Sequence, residues 1–240
     1  MLNFLRKLRR REMKTGRYIK YALGEIFLVM IGILLALGIN NWNEKRKSKD
    51  KELVLINNII EDLKEDAIHF QESLDELTPQ LQLLDSLITD ALDQKKTTQH
   101  HAIGLLRYSS DLQPISQRNH LESVSTIDDV DIRKSLQQYF IIENDTRDRF
   151  LEYEDIVQRK IRPYLSEVGM HNLKALYIES PEESVDQLLI YSVLQEQLDN
   201  INFQQLLFEH RMKTEAFMTG LNDLIKENEA LTIYLTKRID

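Results

Sequence analysis

The sequence predicts an all-α protein, with a single N-terminal transmembrane helix followed by an elongated antiparallel helical bundle or coiled coil. Only 7 Gly and 4 Pro occur among the 240 residues, too few for the tight turns of β and α/β folds. One stretch near the N-terminus is apolar over the length of a bilayer crossing, and apolar residues recur at helical spacing through most of the remaining chain. We therefore divide the chain into a basic tail (1–20), a transmembrane helix (21–42) and a helical-bundle domain (43–240).

The net charge of −8 is unevenly distributed. Residues 1–20 carry eight basic side chains against the single acid Glu12, which leaves 23 basic and 38 acidic side chains in residues 21–240. A domain so acidic repels phosphate backbones, and we expect no nucleic-acid partner. The chain has no Cys, which excludes disulfides, thiolate metal sites and a cysteine nucleophile.

The apolar stretch, residues 22–39, reads ALGEIFLVMIGILLALGI. Eighteen helical residues span about 27 Å, enough to cross the hydrocarbon core of a bilayer. Glu25 is the only charge, and its place in the first turn lets the carboxylate lie among the headgroups. We interpret Glu25 as an interfacial anchor; the alternative is an intramembrane ion or proton site.

The flanking charges predict the orientation of the span. Eight basic residues precede it and five follow it within residues 45–51, so the positive-inside rule favours a cytoplasmic N-terminus and a periplasmic C-terminal domain. The aromatic and amide residues expected at the two membrane surfaces are Tyr18 and Tyr21 inside and Asn40, Asn41 and Trp42 outside. A cleaved signal peptide is the alternative, because residues 36–38 read Ala-Leu-Gly, but the apolar stretch is long for one.

Small residues recur on one face of the span. Gly24, Leu28, Gly32 and Ala36 are spaced by four, and small side chains let helix backbones approach closely in a membrane. We expect this face to pack on another membrane helix, either of a partner protein or of a second copy. The alternative is that Gly and Ala are common in any span.

The span and its exit resemble an uncharacterised family of Bacteroidota single-pass inner-membrane proteins. The resemblance rests on residues 21–44, YALGEIFLVMIGILLALGINNWNE, with Gly24-Glu25-Ile26 in the span and Ile39 to Glu44 (INNWNE) at its end. It covers about a tenth of the chain. The resemblance implies an anchor in the bacterial inner membrane, and it implies no activity.

The next segment carries the strongest helical signal. Twelve apolar residues from Leu53 to Ala91 alternate by three and four without a miss, which predicts a long helix with one buried seam. Pro79 is a candidate kink. Charged side chains fill most remaining positions and predict a solvated face.

Weaker patterns organise the rest of the chain. We predict a turn at 93–98, a short helix at 100–112 and a polar loop at 113–129 suited to recognition. A helix follows over 128–168, with a polar middle at 143–149 that is either frayed or exposed, a bend at Pro163 and a C-cap at Gly169. Ser180-Pro181-Glu182-Glu183 begins a helix that runs to about residue 199, and the last long helix covers 203–238.

The histidines supply no metal or catalytic motif. His69 is one helical turn from Glu65 and Asp66, but the register places His69 on the wet side and no second motif matches it. His100 and His101 would point apart on a helix. His210 lies on the apolar seam of the last helix, and we expect a hydrogen-bonded core histidine. We predict no enzyme, no cofactor and no metal.

An aromatic cluster on the 128–168 helix has two interpretations. Tyr139, Phe140, Phe150, Tyr153 and Tyr164 either line a ligand pocket between helices or pack in the core with their hydroxyls at the surface. We favour core packing.

These patterns favour an anchored periplasmic scaffold or accessory subunit of an envelope complex, with a membrane protein or a second copy as partner. One alternative is a periplasmic ligand-sensing bundle that signals through a partner, since twenty residues before the span cannot hold an output domain. The other is a subunit of an ion-coupled complex that uses Glu25.

Overall fold

The computed structural model describes residues 2–93, 100, 102–177 and 187–239, without the side chains of 2–17, 19 and 93. These residues are mostly helical and form no strand, apart from an isolated antiparallel bridge between His171 and Leu189. The predicted all-α class is confirmed. The chain separates into two compact units, Met1–Val54 (unit 1) and Leu55–Asp240 (unit 2). The predicted membrane-surface boundary near residue 42 stays a prediction.

The longest element, α1, runs over 92 residues from Leu2 to Asp93 and continues through Pro79. Its part in unit 1 contains the apolar stretch, and the side chains of that stretch are exposed. Within the described residues, α1 is the one helix long and apolar enough to cross a membrane.

The remaining elements belong to unit 2. Its helices are α2 (Ser116–His120), α3 (Val130–Ile156), α4 (Arg162–Glu167), α5 (Tyr191–Gln197) and α6 (Ile201–Ile239). A π-helical turn, Val157–Ile161, joins α3 to α4, and 3₁₀ turns lie at Ile103–Arg107, Ser123–Thr126 and Leu173–Tyr177. The π turn directly precedes Pro163, whose missing N–H and ring disturb α-helical hydrogen bonding.

Side-chain contacts define the directions of the three long helices in unit 2. Asn228 on α6 donates to the Leu63 carbonyl (2.9 Å) and Arg211 binds Asp85 (2.6 Å), so α6 is antiparallel to α1. Lys213 binds Glu152 (2.7 Å), and α6 runs antiparallel to α3 by the same reasoning. Because α1 and α3 both run antiparallel to α6, they are parallel to each other. The segment between them returns along α1.

The core of unit 2 forms along the predicted seam of α1. The seam residues buried in the bundle are Ile56, Ile60, Leu63, Phe70, Leu74, Leu77 and Leu84, and they pack with residues of α3 and α6. Four further seam residues, Ala67, Leu81, Ile88 and Ala91, are partly buried, and Leu53 has 43% of its surface exposed. The seam prediction is confirmed from Ile56 onward.

Local sequence signals account for two helix ends. The Asp129 side chain accepts hydrogen bonds from the backbone N–H groups of Asp131 and Ile132 at the start of α3. Gly169 has a φ of 70°, its N–H donates to the Ser166 carbonyl, and the Met170 N–H donates to the Leu165 carbonyl. These bonds form a Schellman motif, and the predicted C-cap at Gly169 is confirmed.

Three predicted segments differ from the structure. The helix predicted over 100–112 is reduced to the turn Ile103–Arg107, because hydrogen bonds to α1 satisfy the backbone of its neighbours. The polar middle of α3 is helical, so it is not frayed, and most of its side chains are exposed, but Glu143 and Thr146 are buried. Thr146 packs against Gly220, where an added Cβ would lie 3.2 Å from the threonine.

Residues 188–190, within the helix predicted from residue 181 to about 199, are not helical. The Ile190 N–H donates to the Met170 carbonyl (2.8 Å) and the Asn172 N–H to the Leu188 carbonyl (2.9 Å), so this backbone pairs with the loop after α4. The Ser180-Pro181 start signal and residues 94–98 of the predicted turn lie outside the described residues.

Candidate functional site

A line of polar side chains on α1 binds the segment that returns from its C-terminal end. We call residues 100–120 the return segment, and the α1 residues that bind it the polar seam. The polar seam consists of Asp62, Asp66, Ser73, Glu76, Gln80, Ser86 and Asp90. Residues early in α1 bind residues late in the return segment, and residues late in α1 bind its first residue. The two segments therefore run antiparallel.

His100 fastens the start of the return segment. Its Nδ1 lies 2.9 Å from the Ser86 hydroxyl and its Nε2 lies 2.8 Å from an Asp90 carboxylate oxygen, with 2% of the imidazole exposed. Hydrolases use the same three residue types, together with an oxyanion hole and an open cleft. Here Ser86 and Asp90 are one helical turn apart on α1, and the imidazole is enclosed between them. This arrangement holds the start of the return segment against α1. The expected helical placement of His100 is wrong, and His101 lies outside the described residues.

Gln80 connects the middle of the return segment to α3. Its side-chain amide donates to the carbonyls of Leu105 (2.7 Å) and Tyr108 (3.0 Å), and its oxygen accepts from the Tyr153 hydroxyl (2.9 Å). Tyr153 is fully buried, and burial raises its pKa to about 12. A glutamine that satisfies three polar groups at once explains how polar atoms are accommodated inside this bundle.

The aromatic cluster packs in the core, as favoured. Tyr139, Phe140, Phe150 and Tyr153 are buried, and Tyr164 is partly buried and stacks on Phe203. The expectation that the hydroxyls reach the surface is wrong for two of them. The Tyr139 hydroxyl accepts from buried Asn228, and the Tyr153 hydroxyl is enclosed with Gln80.

The N-terminal part of the polar seam holds the end of the return segment. Asp66 is fully buried and accepts hydrogen bonds from the backbone N–H groups of Ile115 (2.7 Å) and Ser116 (2.9 Å). Asp62 contacts the side chains of Asn119 (2.7 Å) and His120 (2.9 Å). Asp66 was expected on a solvated face, and the structure corrects this position.

Of the residues considered as a metal site, His69 lies 4.0 Å from Glu65, but Asp66 is apart from them. His69 is exposed and its Nδ1 lies 3.2 Å from Glu72, whereas Asp66 points into the bundle. Asp66 accepts its hydrogen bonds from Ile115 and Ser116, so its role is to bind the return segment.

A second buried carboxyl lies close to Asp66. Glu143 on α3 has 1% of its surface exposed and accepts a hydrogen bond from the Ser116 hydroxyl (3.3 Å). Burial, and after it the nearby charge of Asp66, raises the pKa of Glu143 to about 8, although Ser116 and Arg147 oppose the rise. At neutral pH Glu143 is therefore largely a protonated acid, able to donate a hydrogen bond.

A groove of about 760 Å³ opens between α3 and residues 112–122, and Glu143 lines it. Apolar residues and side-chain amides line much of it, with Arg118 from α2 and Arg147 from α3 adding positive charge. Within the described residues neither arginine binds a carboxylate, whereas Arg149, Arg211 and Arg238 each do. Part of the polar loop predicted for recognition thus supplies one wall of this groove.

His210 is buried in the core, as predicted, but it is not satisfied. Neither ring nitrogen has a hydrogen-bond partner among the described residues, and the ring centroid lies 6.2 Å from that of Tyr153. Burial lowers the pKa of His210 to about 3, so the imidazole is neutral at physiological pH. The apolar pattern of the last helix predicted that His210 is buried, but it gave no information about hydrogen-bond partners of the imidazole.

The candidate residues of the span lie on the exposed surface of α1 in unit 1. Gly24, Leu28, Gly32 and Ala36 are exposed, and a Cβ added at either glycine would meet no atom within 4 Å. Glu25 and the surface residues Tyr18, Tyr21, Asn40, Asn41 and Trp42 are exposed too. The Arg46 guanidinium lies over the Trp42 ring, 5.5 Å from its centroid. The packing face and the interfacial anchors stay predictions.

Sequence reasoning missed the polar seam, although a signal was present. Asp62, Asp66, Ser73 and Gln80 are spaced by four and seven, which places them on one line beside the apolar seam. Reading each charged residue as solvated concealed this second periodic stripe.

Comparison with known proteins gave a family match over part of the chain. Residues 25–102 match the model of a family of unknown function, DUF6090. The match begins at Glu25 and includes the part of α1 that carries the polar seam. No curated protein and no solved structure matches the chain. The class that fold and sequence define is thus an all-α protein with one candidate membrane span, similar over about a third of its length to that family.

Proposed function

We propose that the protein is a membrane-anchored scaffold or accessory subunit of an envelope complex, with unit 2 in the periplasm. The main support for this proposal is that the whole apolar stretch within α1 is exposed. A continuous apolar surface of that length is strongly unfavourable in water and favourable in a bilayer. The likeness of residues 21–44 to Bacteroidota inner-membrane proteins supports the same compartment.

The small-residue face supports a partner within the membrane. Gly24, Gly32 and Ala36 expose backbone along one line of the span, and nothing in unit 1 covers Gly24 or Gly32. A second copy of the chain, or a different membrane protein, would bring a helix close enough to cover this line. Homo-oligomerisation is the simplest such arrangement, because it needs no other gene product.

Topology is tested with reporters fused after Asp240 in intact cells. A reporter active only in the periplasm should be active, and one active only in the cytoplasm should be silent. In the matched control, neutral residues replace the five basic residues of 45–51, and this change should strengthen the same orientation. A cytoplasmic reporter active at this position would refute the proposal.

Association is tested by crosslinking the full chain in native membranes, with the span either native or replaced by polyleucine. The native span should give a discrete crosslinked species that the polyleucine span loses. Equal crosslinking of both would assign recognition to unit 2 and reduce the span to an anchor.

A ligand-sensing bundle is the second candidate, and the groove beside α3 favours it. A groove of about 760 Å³ falls in the size range of small-molecule sites, and its lining combines apolar and polar groups. In this reading unit 2 binds a ligand and a membrane partner carries the response.

A further inference from the structure

We propose that the groove between the return segment and α3 binds an amino acid or a short peptide through its carboxylate. This inference supplies a ligand class for the sensing candidate, and it stands whether or not the span has a partner. It rests on the charges that face the groove, on a hydrogen-bond donor in its lining and on the mixed character of its walls.

The charge pattern fits a zwitterion. Arg118 and Arg147 come from opposite walls, and neither guanidinium has an ion pair within the described residues. Arginine binds carboxylates with two parallel hydrogen bonds, so a pair of unmatched guanidinium groups suits an organic anion. Glu122 also lines the groove without an ion pair among the described side chains, and its carboxylate suits an ammonium group.

Glu143 adds a donor to the groove lining. One of its oxygens accepts from Ser116, and the other has no hydrogen bond to any residue that the structure describes. The protonated carboxyl can donate from that oxygen to a ligand carboxylate between the two arginines. A charged Glu143 would instead repel the ligand.

The remaining lining distinguishes a peptide from a simple inorganic anion. Leu112, Pro114 and Leu121 provide apolar surface, and Gln113 and Asn144 provide amides that match peptide N–H and C=O groups. Phosphate would leave these surfaces unused. The volume also exceeds what a single small ion needs.

Binding is measured by isothermal titration calorimetry on the full chain in lipid nanodiscs. The probes are alanine, trialanine, C-terminally amidated trialanine, succinate and inorganic phosphate. Trialanine or alanine should bind, and comparison of the two separates a peptide from a single amino acid as the source. The amidated peptide should bind about tenfold more weakly, because it lacks the carboxylate that the arginines recognise.

The variants Arg118→Gln and Arg147→Gln should each weaken binding about tenfold, and Arg159→Gln should not change it. Arg159 is the matched control, since it is an exposed arginine in the π turn after α3 and pairs with Asp155. All three side chains are exposed, so the substitutions should leave folding intact.

A pH series tests the role of Glu143. Between pH 7 and pH 9.5 the affinity for trialanine should fall about fivefold more in the wild type, where Glu143 ionises, than in Glu143→Gln, which keeps a donor. The α-amino group of the peptide also loses its proton in this range, and that loss affects both proteins alike. The ionisable groups that face Glu143 or its immediate partners are Asp62 and Asp66 on α1, Arg118, His120 and Glu122 in or beside α2, and Tyr139 and Arg147 on α3. Neutral Asn228 faces it from α6 through Tyr139.

The proposal is overturned if neither alanine nor trialanine binds at up to about 10 mM, or if phosphate alone binds. Equal affinity for trialanine and its amide would also overturn it, as would binding unaffected by both arginine substitutions. None of these outcomes bears on topology or crosslinking, so failure here is distinguishable from failure of the membrane-anchored scaffold.

Discussion

The helix α1 passes through two regions, one with exposed and one with mostly buried apolar side chains. In unit 1, α1 is apolar on every side between residues 22 and 39, and all of these side chains are exposed. From Leu55 onward polar residues cover much of the same helix, and most of its apolar residues lie along one side and are buried, although Ile68 and Leu92 are exposed. Since the backbone conformation is the same, the distribution of apolar groups around the helix indicates the medium that surrounds it.

The second region shows a further difference, because its interior is not wholly apolar. Asp66, Gln80 and Asp90 are buried on α1, and each has partners in the return segment. Unit 1 has no comparable polar stripe in its apolar stretch. The bundle therefore accepts charged groups only where a neighbouring segment supplies hydrogen bonds.

The largest effect is expected from a charge placed in the buried seam. Leu63→Asp puts an unpaired carboxylate among apolar side chains and should lower the free energy of unfolding by about 4 kcal/mol. Thermal unfolding of the full chain in detergent, followed by circular dichroism, measures the change. Glu61→Gln, two residues away on the exposed side, should alter it by less than about 0.5 kcal/mol. Equal small effects would show that this part of α1 is not buried.

Glu143→Gln should stabilise the bundle in alkaline solution. The folded-state pKa of Glu143 is about 8, above the ordinary value of 4.5, so its contribution is full below pH 4.5 and is lost as pH rises to 8. Glutamine does not ionise, and at pH 9 the variant should exceed wild type by about 3 kcal/mol more than it does at pH 5. Urea unfolding at both pH values measures this difference. A constant offset would mean that Glu143 ionises freely in the native bundle.

His210→Leu should stabilise unit 2 by about 2 kcal/mol, because it removes two buried nitrogens that lack partners and fills a similar volume. The depressed pKa also has a consequence in acid. Wild type loses stability as pH falls from 6.5 toward 3, and the leucine variant should lose less over that range. Melting temperatures at pH 7 and pH 4.5 test both statements. A variant less stable at pH 7 would indicate that the imidazole makes a favourable contact.

The smallest effect concerns the span. Gly32→Leu places a bulky side chain on the small-residue face and should weaken association by about 1 kcal/mol, measured by energy transfer between labelled chains in membranes. Leu34→Ala, on another side of the helix, should leave association unchanged. If Gly32→Leu associates like the wild type, the small-residue face is not a contact surface.

The candidate groove was only partly predictable. The polarity of residues 113–129 pointed to recognition, and several residues between 113 and 122 line the groove. The contribution of Glu143 was not predictable, because residues 143–149 read as a polar stretch facing solvent. Its environment depends on Ser116, 27 residues away, and on Asp66 in another helix.

By itself the sequence determined the features that depend on local pattern: the all-α class, the apolar stretch, the seam from Ile56 to Leu84, the cap at Gly169 and the length of α6. Helical periodicity and capping are properties of neighbouring residues, so they can be read from a single chain. Tertiary structure alone decided the parallel course of α1 and α3, the clamp at His100 and the burial of Asp66 beside Glu143. Those features depend on hydrogen bonds between residues distant in sequence, and such bonds override local preferences because an unsatisfied buried polar group costs more than a lost helical turn.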